Sequence, residues 1–203
     1  MSKKGNLFVL VGPSGSGKGT VLKEVLAAEK NTFLSVSATT RHPRPGEQHG
    51  VHYFFTSRED FEGMIRREEL LEYAKYCENY YGTPKSAVLE RISRGENVIL
   101  EIEVQGAKKV KEMYPEAVTV FILPPSLSEL RRRLTDRKTE DAETVNRRLE
   151  TALGEIPYAR ECDYAVVNDQ LPETVEEIRA IILAQSCSGR VMRDTIDRVL
   201  ENC

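Results

Sequence analysis

Along the chain, short apolar runs alternate with stretches in which apolar residues recur every three or four positions, the pattern of strands exchanging with helices. Five runs read as buried strands because they are brief and rich in β-branched or aromatic residues: Leu7 to Val11, Phe33 to Val36, Asn97 to Ile102, Val118 to Leu123 and Tyr164 to Val167. A helical pattern adjoins each of them, which predicts an α/β fold with a mostly parallel sheet flanked by helices. In the last third, Val175, Ile178 and Ile182, and later Val191, Ile196 and Val199, fall at helical spacing, and both sets are expected to pack onto that sheet.

Two regions interrupt the alternation. Between Thr39 and Ser86 lie a loop with Pro43, Pro45 and Gly46, two aromatic strand-like pieces (Val51 to Phe55 and Leu70 to Tyr76), and a helix that Ser57 is placed to cap. This segment reads as an inserted lobe. From Ser126 to Arg148 run an arginine-rich helix, the turn Asp136 to Asp141 and a second helix, a charged pair suited to a mobile cover. The expected organisation is one domain: core 1–38, lobe 39–86, core 87–125, lid 126–148, and core with C-terminal helices 149–203. The helical tail from Gly189 to Cys203 is read either as a dimer contact or as a cap on the sheet.

Composition narrows the class. With 203 residues, 40% hydrophobic and 30% charged, the chain is of a size and kind that folds around one core without disulfides. Cys77, Cys162, Cys187 and Cys203 have neither CxxC nor CxxH spacing, so no zinc site or redox pair is predicted. The first apolar run is too short for a signal segment or a membrane span, which predicts a cytoplasmic protein with no membrane partner. A net charge of −3 gives no general attraction to nucleic acid. Oligomeric state is not legible.

The strongest single signal is Gly12-Pro13-Ser14-Gly15-Ser16-Gly17-Lys18-Gly19-Thr20, between the first strand and a helical pattern over Val21 to Lys30. Strand, glycine-rich loop and helix follow in the order of a P-loop, in which backbone N–H groups converge on phosphate oxygens and Lys18 adds a point charge. The helix N-terminus adds to the positive field. Gly19 stands where a hydroxyl usually meets Mg2+, and Thr20 comes one residue later.

A second phosphate-binding group is sought in SVSATTRHPRPGEQHGVHY, residues 35–53. Arg41 and Arg44 lie on a loop stiffened by Pro43 and Pro45; they are either solvated loop arginines or a pair matched to a dianionic monophosphate. Tyr53 and the turn Asn79-Tyr80-Tyr81-Gly82-Thr83 offer hydroxyls to the same phosphate, or rings to a lobe core. A reader of guanine needs a carboxylate that accepts from N1 and N2, beside a hydroxyl donor. Glu72, with Thr83 nearby in sequence, is the candidate; the alternative is a solvent-facing strand carboxylate. Glu101 and Glu103 lie two apart at a strand end, where ligands of parallel sheets sit.

SVSATTRHPRPGEQHGVHYFF, LLEYAKY, NYYGT and EIEVQG, taken with the P-loop and Asn168-Asp169, resemble the guanylate kinase signature in order and spacing over nearly the whole chain. The resemblance implies a P-loop NTPase core carrying a nucleotide-monophosphate-binding lobe and a helical lid. It implies phosphorylation of GMP, and of dGMP, by ATP with release of ADP, in purine metabolism with Mg2+ as cofactor. Residue by residue, it assigns ATP to Gly12 through Thr20 and to Asn168 and Asp169. Arg41, Arg44, Tyr53 and Tyr81 fall on the GMP phosphate, and Ser37, Glu72 and Thr83 on guanine.

Glu101 and Glu103 stand where the family often carries Asp; Glu103 is assigned to the base, and Glu101, with Thr20, to the metal through water. Lid arginines Arg133, Arg137 and Arg148 join Lys18 and Arg41 as the catalytic set, while Lys138 replaces the family's usual Gly. Asn168-Asp169 reads equally as a helix cap, and Gln105 as a cap on the helix after EIEVQG. Three rivals are weighed, of which a nucleic-acid-binding protein using the arginine cluster lacks a basic overall balance and any aromatic stacking motif. An AMP kinase is disfavoured because adenine presents an acceptor at N1, facing Glu72. A non-catalytic peptide-binding module is disfavoured because the P-loop keeps Lys18 and all its glycines.

Overall fold

The computed structural model describes residues 4–76, 78–136 and 142–201. Strand β1 (Leu7–Val11) is buried along its whole length and lies at the centre of a five-stranded sheet. The order is β2 (Thr32–Leu34), β7 (Asn97–Glu101), β1, β8 (Val118–Leu123), β9 (Tyr164–Val167), and every pairing is parallel. A strand that exposes neither face reads as a continuous apolar run, which is why LFVLV and VTVFIL were legible. Alternate residues of β1 feed two cores, because successive strand side chains point to opposite faces. Phe8 and Leu10 join Val21, Leu22 and Val25 of α1 (Lys18–Ala28) and Val175, Ile178 and Ile182 of α7 (Leu171–Ser186). Leu7, Val9 and Val11 join Val88 and Ile92 of α3 (Lys85–Ser93) and Ala107 and Val110 of α4 (Val104–Met113).

The inserted segment folds on a second, four-stranded sheet, ordered β4 (Phe54–Phe55), β3 (Ala38–Thr39), β6 (Asn79–Pro84), β5 (Leu70–Tyr76). Ser57 caps α2 (Arg58–Arg66), its Oγ accepting from the Asp60 amide at 3.0 Å. Phe61 on that helix is fully buried and stacks on Tyr80, with ring centroids 5.3 Å apart, so one aromatic pair forms the centre of the lobe. Strand β5 links the two bodies: Leu70 belongs to the lobe cluster and Leu71 to the main core. NYYGT, expected as a turn, is strand β6; its antiparallel partner β5 satisfies the backbone groups that a turn would have left to side chains.

Helices α5 (Leu127–Thr135) and α6 (Ala142–Glu155) form the charged pair, joined by Leu130, Leu134, Val145, Leu149 and Ala152. Arg137 and the rest of the expected turn from residue 137 to 141 lie outside the described residues. The expectation for the tail is corrected. Helix α8 (Arg193–Glu201) has no buried residue, and Ile196, Val199 and Leu200 are 48%, 64% and 68% exposed, so the sheet is covered by α7 and not by Val191, Ile196 and Val199. Helical period reports an apolar face but not whether anything covers it.

Candidate functional site

The carboxyl ends of β1 and β7 bring the separate motifs together. Leu10 pairs with Glu101, so the strand end that carries EIEVQG adjoins the start of the glycine-rich loop. That loop turns through left-handed backbone at Gly17, with φ 92°, and the first turn of α1 begins at Lys18. A side chain at Gly17 would put its Cβ 2.2 Å from Asn168 Nδ2, and one at Gly12 would reach 2.4 Å from the Ile122 carbonyl oxygen. Glycine is therefore demanded at both positions by the protein's own packing, before any phosphate is considered. Lys18 Nζ donates to the carbonyls of Gly12 at 2.6 Å and Pro13 at 3.1 Å, which holds the ammonium across the loop.

Asn168 does not cap a helix. It is buried, and its Nδ2 donates to the Ser16 carbonyl at 2.7 Å, closing the loop from the end of β9; Gln170 occupies the N-cap position of α7, and Asp169 is exposed. Gln105 lies inside α4, whose N-cap position is Glu103. Ser16 Oγ is buried and has no hydrogen-bond partner among the described residues.

The arginines of the charged helix separate by face. Arg133 donates to the carbonyls of Asn168 at 3.0 Å and Ser16 at 3.4 Å and is held from behind by Glu129 at 2.8 Å. Arg131 donates to Asn146 of α6, and Arg132 to Glu129 and Asp136 of its own helix. The bonds from Arg132 and Arg133 hold the Glu129 carboxyl down at about 2. Arg148 reaches Ser14 Oγ at 3.4 Å. Leu134 and Leu130 lie where a Gly15 side chain would be, 2.9 and 3.0 Å from an added Cβ, so the helix pair rests directly on the loop.

Between the lobe and the main sheet is a cavity of about 270 Å3 whose wall includes Ser37, Tyr53, Glu72, Tyr81, Glu101 and Glu103. Six residues scattered over 67 positions of sequence thus share one space. Glu72 is 7% exposed and accepts from the Thr83 hydroxyl at 2.7 Å. Burial raises its pKa above the ordinary carboxylate value, and Glu103 pushes the same way; the Thr83 hydroxyl and the Lys109 charge oppose. Lys109, on α4, donates to the Tyr73 carbonyl at 3.0 Å and lies over the Tyr73 ring, so it also ties the lobe to the core. Gly106 leaves room for the carboxylate: a Cβ there would come within 3.1 Å of Glu72 Oε2.

At the lobe end, Arg41 lies over the rings of Tyr53 and Phe55 at 5.5 and 5.9 Å, and Tyr53 meets Tyr81 edge to face at 6.1 Å. Arg44 is exposed on the same loop. A larger cavity, about 550 Å3, lies at the other end of the sheet beside Asn6, Asn31 and Asn97. Those residues stand at or just before the first residues of β1, β2 and β7, the end away from which ligands of parallel sheets bind.

Sequence reasoning did not find Asn168 as the brace of the loop, Lys109 behind Glu72, Glu129 behind Arg133, or Glu47, which contacts Arg41. Each acts through a partner, and three of the four sit in charged helices or loops that read as solvated surface.

A loop of this kind at the carboxyl edge of a parallel sheet places the molecule among the P-loop nucleotide-binding proteins. Comparison with known proteins narrows the class. The guanylate kinase family model matches residues 4–185. A guanylate kinase of Desulfitobacterium hafniense is 51% identical over 183 residues, covering 90% of this chain and 92% of the relative. One from Halalkalibacterium halodurans is 50% identical over 199 residues, covering 98% of each. The crystal structure of guanylate kinase from Anaplasma phagocytophilum superposes with a TM-score of 0.72 at 34% identity, covering 92% of this chain and 89% of that one. The chain belongs to the guanylate kinase family, and so to the kinases, which transfer a phosphoryl group. No helix among the described residues is long and apolar enough to cross a membrane.

Proposed function

We propose that this protein transfers the γ-phosphoryl group of ATP to GMP, releasing ADP and GDP, and that dGMP is also accepted. The observation that carries the reading is buried Glu72, which accepts from Thr83 and lines the cavity between the lobe and the end of β7. Guanine offers N1–H and N2–H to a carboxylate and takes a hydrogen at O6, whereas adenine sets its own N1 acceptor against that carboxylate. The residues assigned here read base and phosphate, which dGMP shares with GMP.

In this reading, the core is 1–38, 87–125 and 149–203, the acceptor lobe is 39–86 and the lid is 126–148. Gly12 to Thr20 cradle the ATP phosphates, and Asn168 and Asp169 border the adenine. Ser37, Glu72, Thr83 and Glu103 face guanine, while Arg41, Arg44, Tyr53 and Tyr81 receive its phosphate. The attacking oxygen belongs to a phosphate that is ionised near neutral pH, so no side chain needs to remove a proton. The chain's work is alignment and charge: Lys18, Arg41, Arg133 and Arg148 surround the transferred group and exclude water, and Arg137, which lies outside the described residues, is assigned to the same catalytic set.

Mg2+ fits this site only as an ion carried with the nucleotide. Among the described residues no cluster of three acidic, histidine or cysteine side chains is placed to hold a metal, and Thr20 and the rim carboxylate Glu101 are both exposed. Bound with ATP, it supplies neutralisation of phosphate charge; Thr20 and Glu101 are the groups this chain offers to its water shell. A cytoplasmic location, where ATP and GMP are both present, is part of the same proposal. The test is transfer of label: γ-labelled ATP incubated with GMP should yield labelled GDP, and label appearing only as inorganic phosphate would refute the reading.

A further inference from the structure

Arg41 is held unusually firmly for a loop arginine. Its side chain is only 16% exposed. Nη2 donates to both oxygens of Glu47, at 2.9 and 3.0 Å, Nη1 donates to the His42 carbonyl at 2.7 Å, and two aromatic rings flank the guanidinium. Glu47 is itself placed by a tight turn, Arg44-Pro45-Gly46-Glu47. Its amide donates to the Arg44 carbonyl at 3.0 Å, Gly46 has φ 88°, and Pro45 precedes it, the requirements of a type II turn. The carboxylate then accepts from the Arg44 amide at 2.7 Å. One side chain thus ties Arg41 to the turn that carries Arg44. The bond to Arg41 holds the Glu47 carboxyl below its ordinary value, so it is ionised at neutral pH.

We infer that Glu47 is a positioning residue of the acceptor site: its carboxylate fixes the Arg41 guanidinium and the Arg44 turn in the arrangement that receives the substrate's phosphate. The inference rests on the assignment of that phosphate to Arg41 and Arg44. A free arginine side chain must surrender most of its rotamer freedom to meet an anion, and here that freedom is already lost before the anion arrives. Opposed to this, a carboxylate near a dianion repels it. The geometry favours positioning, because Glu47 holds the arginine from one side and also closes the backbone turn. An internal mask of the site would have no need of the second contact.

The test measures ADP release with GMP and ATP varied separately, for Glu47→Ala, Glu47→Gln, Arg41→Ala and the Glu47→Ala/Arg41→Ala double variant. Glu47→Ala should raise KM for GMP about tenfold, while KM for ATP stays within about twofold. Glu47→Gln, which still accepts from the Arg44 amide, should recover part of the loss. With Arg41 already replaced, Glu47→Ala should add less than about threefold. A lower or unchanged KM for GMP in Glu47→Ala, or equal changes in both KM values, would overturn the inference. If Arg41→Ala itself leaves KM for GMP unchanged, the phosphate assignment falls with it; if Arg41→Ala raises KM and Glu47→Ala does not, the positioning role alone falls.

Discussion

Replacing Glu72 by glutamine isolates the base reader, since the side chain keeps its size in a site that is 7% exposed. Its Oε1 takes the Thr83 hydroxyl at 2.7 Å, and Oε2 faces the space that Gly106 leaves open. In the ionised form both oxygens accept, so guanine N1–H and N2–H meet a charged acceptor while Thr83 stays bonded. Glutamine has one acceptor. If Thr83 keeps it, an NH2 group is turned toward guanine N1–H, donor against donor. The loss is one hydrogen bond to a charged group plus an unmatched buried donor, about 2 to 4 kcal/mol, or about 30- to 700-fold in kcat/KM for GMP.

The same NH2 suits adenine N1, so turnover of AMP should rise relative to GMP. Steady-state ADP release with GMP, IMP and AMP in turn, at saturating ATP, measures both effects. IMP lacks N2–H and should lose less than GMP. A fall of less than about threefold for GMP with no change in base preference would show that Glu72 does not read the base.

Three further outcomes follow from the same geometry. Because burial raises the pKa of Glu72, protonation removes an acceptor at a higher pH than for an exposed glutamate. Hence kcat/KM for GMP should fall on the acid side, and Glu72→Gln should abolish that limb while leaving the one from the substrate phosphate near pH ~6. Arg133→Ala, which breaks the contacts to the Ser16 and Asn168 carbonyls, should lower kcat at least about tenfold, while Arg132→Ala, paired within its own helix, should change it less than about twofold. Phe61→Ala removes the fully buried partner of Tyr80; it should cost about 3 to 5 kcal/mol of lobe stability in urea titration and raise KM for GMP more than for ATP.

What the sequence made legible was mostly local or periodic. The P-loop is nine contiguous residues between a strand and a helix, and β1 and β8 are runs whose limits match the expected ones because both faces are buried; the edge strand β9 matches as well, although only Val166 on it is buried. The Ser57 cap followed from a hydroxyl standing directly before a helical stretch. The strand character of NYYGT was hidden by Asn79 and Gly82, which favour turns in isolation, and was decided by pairing with β5. Helix α8 misled because amphipathic spacing is the same whether its apolar face is covered or not. Asn168 lies 152 residues from the carbonyl it braces, a distance at which one sequence carries no signal. The arginines at 131, 132 and 133 look equivalent in a row, yet helical rotation of 100° per residue sends one to the loop, one to α6 and one along its own helix.

The central claim, one site that joins ATP to a guanine acceptor, is tested most directly by ADP release from the intact chain with ATP and Mg2+, offering GMP, dGMP, AMP, CMP and UMP in parallel and no acceptor as control. Turnover with GMP and dGMP, far above AMP, the pyrimidines and the control, is the expected result. ADP release that does not depend on the acceptor, or that prefers AMP, would contradict it.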